Sequence, residues 1–195
     1  MRHPLWLYGL VGLLISSSAA GVALAFRNQS PTVLAQHSMQ MGWTDQSFIE
    51  MMIPHHQDAI AMAEMALKKA KHPELKTLAQ AIIKDQGREI NEMKTWYQQW
   101  FGQAVPPIPS QGIMGMYQGH GMMAMDLRAL ATATNFDREF ILQMIPHHQM
   151  AVMMASNLKT NTDRPEMDKL ANDIIRSQSA EIKQMKQWYK AWYGS

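Results

Sequence analysis

The residues with the clearest chemistry stand in one short run, Met51-Met52-Ile53-Pro54-His55-His56. On a helix, side chains three and four residues apart share a face. Met52 therefore faces both His55 (i+3) and His56 (i+4), and Met51 faces His55 (i+4). The two adjacent imidazoles point roughly 100° apart, so they are not expected to chelate one ion together. Each is expected to pair with a thioether one turn away. The pattern returns as Met144-Ile145-Pro146-His147-His148. Met62 and Met154 extend the same faces, and Met93 and Met185 sit where a partner helix would close each cluster. For Met93 and Met185, core packing is an equally available role, because methionine is a flexible gap-filler.

Thioethers are soft, uncharged ligands that favour Cu(I) and Ag(I), whereas imidazole accepts several transition metals. The chain holds 19 methionines and no cysteine, so soft-metal chemistry must come from thioether and imidazole. A histidine and methionine set free of carboxylates and thiolates selects monovalent copper over zinc or magnesium. Imidazole must be neutral to bind, so affinity is expected to fall near and below pH 6.5. The net charge of +2 offers no concentrated basic face for nucleic acid.

The elements that must hold these side chains are also legible. The stretch from Asp45 to Gly102 matches Asp137 to Gly194 without a gap, at an offset of 147 − 55 = 92. About half of the positions are identical, including Gln86, Glu89, Ile90, Met93, Trp96, Tyr97 and Trp100 against Gln178, Glu181, Ile182, Met185, Trp188, Tyr189 and Trp192. Each copy reads as two helices. Thr44-Asp45 and Asn135 supply N-cap side chains, and Phe48, Met52, His55, Ala59 and Met62 recur at helical spacing. Pro73 and Pro165, each followed by glutamate, open the second helices. Their apolar stripe in the first copy runs Leu75, Leu78, Ala79, Ile82, Ile83, Gln86, Ile90, Met93, Tyr97. The expected fold is all-α: a ferritin-like four-helix bundle made of two repeated antiparallel hairpins. Hairpins exchanged between two chains would bury the same stripes, so monomer and dimer both stay open. Pro54 and Pro146 fall within the first helices and either bend them or start new ones at Pro-His-His.

The expected organisation is a leader over 1–25, an N-terminal segment with His37, Met39 and Met41 over 26–43, repeat 1 over 44–102, a linker over 103–134 and repeat 2 over 135–195. The leader joins Arg2 to an apolar run and ends in Ala23-Leu24-Ala25, as an export signal does. The run of about 22 residues is also long enough for a retained anchor, the one route to a membrane. A periplasmic or secreted location follows. The linker carries Met114, Met116, His120, Met122, Met123 and Met125, candidates for weaker copper sites.

The runs Met-Ile-Pro-His-His-Gln and Gln-x-x-Glu-Ile-x-x-Met-x-x-Trp resemble the CopM-type copper-binding family, bacterial ferritin-like bundles known as a domain of unknown function. The resemblance covers about Asp45 to Tyr193. It implies Cu(I) and Ag(I) binding in copper resistance, with Met52, His55, His56 and Met62, and Met144, His147, His148 and Met154, as ligands. An envelope copper exporter or sensor is a further candidate partner beside copper itself. The copies differ where Gln143 replaces Met51 and Met150 replaces Asp58. Three other functions compete. A di-iron oxidase needs Glu-x-x-His, but Glu89 and Glu181 are followed by Glu92 and Gln184, so an enzyme is not expected. Haem held by His/Met axial ligands is chemically feasible, though no pocket of that size is marked. A helical adaptor that binds a partner protein would place its methionines on an exposed groove.

Overall fold

The structure, a computed structural model, describes residues 44–107 and 126–194. They form five helices: α1 (Asp45–Lys69), α2 (Pro73–Phe101), α3 (Leu127–Thr132), α4 (Phe136–Lys159) and α5 (Pro165–Tyr193). The N-caps are those read from sequence. Thr44 Oγ1 accepts the Ser47 N–H at 3.2 Å, and Asn135 Oδ1 accepts the Arg138 N–H at 3.1 Å. Each such cap stabilises by about 1 kcal/mol. Pro73 and Pro165 lie in the first turns of α2 and α5. Those helices end at Gly102 (φ 70°) and Gly194 (φ 69°), in the left-handed conformation that glycine adopts without Cβ strain.

Neither Pro54 nor Pro146 starts a new helix, because α1 and α4 run through them unbroken. Proline removes one N–H but its φ remains helical, and the buried residues on both sides hold the turn in place. The segment assigned to the linker carries one further element, α3, capped by Asp126 Oδ1 at 2.7 Å from the Ala129 N–H. Six residues are too few to register as a period.

α1 packs antiparallel on α2, α4 on α5, and the hairpins meet where α1 lies against α4. Two apolar clusters result. The first joins Phe48, Ile49 and Met52 of α1, Ile90, Met93 and Tyr97 of α2, Met154 and Leu158 of α4, and Leu170 and Ile174 of α5. The second joins Met62 and Ala66 of α1, Leu75, Leu78 and Ile82 of α2, Phe140, Ile141 and Met144 of α4, and Met185 of α5. Residues 92 apart fall in opposite clusters, as Phe48 and Phe140 or Met52 and Met144 do. The bundle therefore has an approximate two-fold axis between α1 and α4. Burying each large side chain stabilises by roughly 1.5–3 kcal/mol, so both ends of the bundle are held firmly.

Candidate metal centre

Between the two apolar clusters every long helix turns polar inward. α1 supplies His55 and His56, α2 Gln86 and Glu89, α4 His147 and His148, and α5 Gln178 and Glu181. The His55 and His147 rings stack across the two-fold axis at 3.6 Å between centroids. His56 Nε2 lies 2.8 Å from Glu89 Oε2, and His148 Nε2 lies 2.7 Å from Glu181 Oε2. The remaining ring nitrogens are buried without a partner: both on His55, both on His147, and Nδ1 on His56 and His148. Gln86 Oε1 and Gln178 Oε1 are likewise unpaired. Native interiors rarely leave polar atoms so, because each costs about 1–3 kcal/mol.

Burial holds the imidazoles of His55, His56 and His147 neutral. It lowers His55 and His56 to about 3, aided by repulsion from neighbouring imidazoles, and it lowers His147 well below the usual value. Burial also pushes Glu89 up to about 7, against the pull of Arg88. The pH expectation is corrected accordingly. At His55, His56 and His147 protons do not compete with a metal near pH 6.5, because burial already disfavours the charged form.

The structure regroups the methionines. Met52, Met93 and Met154 share the first cluster, with Met51 half-buried against it. Met62, Met144 and Met185 share the second. Met52 and Met62 are ten residues apart on one helix, hence about 15 Å along its axis. Met52 thus neighbours Met154 of the other repeat, since α1 and α4 are antiparallel. Among the described methionines only Met153 is exposed, at 47%. An adaptor groove lined by methionine is not what these helices present. The linker candidates Met114, Met116, His120, Met122, Met123 and Met125, and the N-terminal 43 residues, lie outside the described residues.

Sequence reasoning missed the carboxylates. The ligand set was expected to be free of them, yet Glu89 and Glu181 meet the second histidine of each pair. A signal was present, since Glu89 sits on the buried stripe, one turn past Gln86 and one residue before Ile90, and Glu181 holds the matching place in the second copy. A second missed feature joins the helix ends. His72 Nδ1 lies 2.6 Å from buried Asp137 and its ring stacks on Trp192 at 3.6 Å. The equivalent Arg164 pairs with Asp45 at 3.0 Å and lies 4.2 Å over Trp100.

A family model described as a domain of unknown function, DUF305, matches residues 45–189. The chain belongs to the DUF305 family. The solved structures of CopM are similar to this chain. The Cu(II)-bound form is 80% identical with a TM-score of 0.72, covering 78% of this chain and 100% of that one. The Cu(I)-bound form is 76% identical with a TM-score of 0.70, covering 78% and 99%. An Ag-bound form is 75% identical with a TM-score of 0.69, again over 78% and 99%. The CopM-type resemblance read from the two motif runs therefore holds. An uncharacterised protein of Acanthamoeba polyphaga mimivirus is 43% identical over 49 residues, which are 25% of this chain. The match spans about a third (32%) of that curated relative.

Proposed function

We propose that this DUF305 chain is an exported protein that binds monovalent copper, and silver(I), without catalysing a reaction on it. The ion is held by the central imidazoles and the methionines flanking them, and the role is copper sequestration and resistance in the periplasm or outside the cell. An envelope exporter or sensor is the expected partner. One observation carries the reading: six buried imidazole nitrogens without partners, in a layer bordered on both sides by buried thioethers.

The donor chemistry favours a soft ion. Among the described residues no three histidine, aspartate or glutamate side chains are grouped to hold a metal. A di-iron centre is built on Glu-x-x-His pairs, whereas Glu89 and Glu181 are followed at i+3 by Glu92 and Gln184. Imidazole with thioether suits Cu(I), which accepts few ligands and needs no carboxylate. The similar CopM structures in Cu(I)- and Ag-bound forms support the same class of ion, and the Cu(II)-bound form supports copper more broadly.

The test is an anaerobic titration of the purified chain with Cu(I) against a chromogenic chelator. Replacing His55, His56, His147 and His148 together with glutamine should remove the tightest binding. Equal affinity in that variant would contradict the bundle site and move the assignment to Met114, Met116, His120, Met122, Met123 and Met125.

A further inference from the structure

Glu89 is buried, with Arg88 3.5 Å from its Oε1, and Glu181 is half-buried. Glu89 lies among apolar residues of α2 with 3% of its surface exposed, and Glu181 stands at the equivalent place on α5. Each spends one carboxylate oxygen on the same atom of the same histidine, His56 Nε2 or His148 Nε2. Each of those histidines leaves Nδ1 buried and unpartnered. The adjacent pair His55 and His147 has no carboxylate on either nitrogen.

A neutral imidazole carries one proton, and the hydrogen bond at one nitrogen decides which atom keeps a lone pair. If the carboxyl donated to Nε2, the ring proton would sit on Nδ1, a buried N–H aimed at no acceptor. Unpaired buried N–H groups are rarer than unpaired acceptors. The ring must therefore donate from Nε2, leaving the Nδ1 lone pair bare.

The structure assigns Glu89 and Glu181 as positioning residues that fix the Nε2–H tautomer of His56 and His148, so that Nδ1 of each is the metal-ligating atom. This assignment rests on the copper reading above. A carboxylate behind a ligating histidine orients the ring and raises its basicity, and its loss typically costs 10–100-fold in metal affinity.

Two measurements on the full chain test it. Long-range ¹⁵N–¹H correlation spectra of the metal-free protein report the tautomer of each histidine and do not depend on copper binding. His56 and His148 should carry their protons on Nε2; protons on Nδ1 would overturn the assignment whatever the chain binds. Competition titration with Cu(I) alone then compares Glu89→Ala/Glu181→Ala with Glu89→Gln/Glu181→Gln. The alanine pair should weaken binding by about 10–100-fold, and the glutamine pair, whose Oε1 still accepts from Nε2–H, should restore most of it. A folded alanine variant binding as tightly as the parent would overturn the assignment. Should the alanine variant fail to fold, the glutamine variant and the tautomer decide. A parent chain that binds no Cu(I) contradicts the copper reading, while the tautomer result still stands or falls by itself.

Discussion

A neutral imidazole in a dry layer leaves a thermodynamic trace. His55 and His56, lowered to about 3, and His147, also lowered, take up protons on unfolding as the pH falls below about 6.5 towards their folded values. Their folded pKa lies below the unfolded one, so stability is lost as pH falls from 6.5 towards 3. Each contributes up to about 1.4 kcal/mol per pH unit. Glu89 has the opposite sign. Raised to about 7, it gains stability as pH falls through 7 to its unfolded value near 4.5, offsetting one histidine there. Urea unfolding of the metal-free chain should therefore show stability falling below pH 6.5, and more steeply below about 4.5. The variant with all four histidines as glutamine should lose most of that slope. A second prediction separates ligand from filler at Met52 and Met144, both fully buried. Leucine conserves volume, so Met52→Leu and Met144→Leu should cost under about 1.5 kcal/mol in urea titrations. Their Cu(I) affinity should nevertheless drop clearly. The histidines and methionines were legible at this scale because their types are chemically rare together. Glu89 was not, because a glutamate on a helix reads as solvated until the opposing helix shows what faces it.

The elements were legible where local chemistry decides them. Thr44, Asn135, Pro73 and Pro165 mark starts, and Gly102 and Gly194 mark ends, through contacts spanning only one turn. Asp137 stands in the first turn of α4, but its main work is between elements. Its carboxylate accepts the Lys71 N–H at 3.0 Å, the His72 N–H at 2.9 Å and His72 Nδ1 at 2.6 Å, tying α4 to the α1–α2 turn. Asp137→Ala leaves those donors without their partner and should destabilise by roughly 2–3 kcal/mol in chemical denaturation. Loss of an ordinary first-turn acid would cost under 1 kcal/mol, as helix-dipole contacts do. The paired corner at Asp45, Arg164 and Trp100 lay equally beyond a sequence reading, since its residues are distant along the chain and Arg164 stands where the first repeat has His72.

For the molecule as a whole, the 92-residue repeat announced two equal halves but not how they interlock. Spacing along one helix suggested Met52 with Met62. The antiparallel packing of α1 on α4 sets Met52 beside Met154 and Met62 beside Met144 instead, a consequence of topology that no single repeat contains. Each thioether cluster thus draws on both repeats, and the imidazole layer between them belongs to both. The central claim is that one ion takes imidazole and thioether together in this layer. Copper-edge X-ray absorption of the chain loaded anaerobically with one equivalent of Cu(I) tests it most directly. Nitrogen and sulfur scatterers should appear in the same first coordination sphere, with the nitrogen lost in the histidine-to-glutamine variant. A sphere of sulfur alone in the parent, unchanged in that variant, would contradict it.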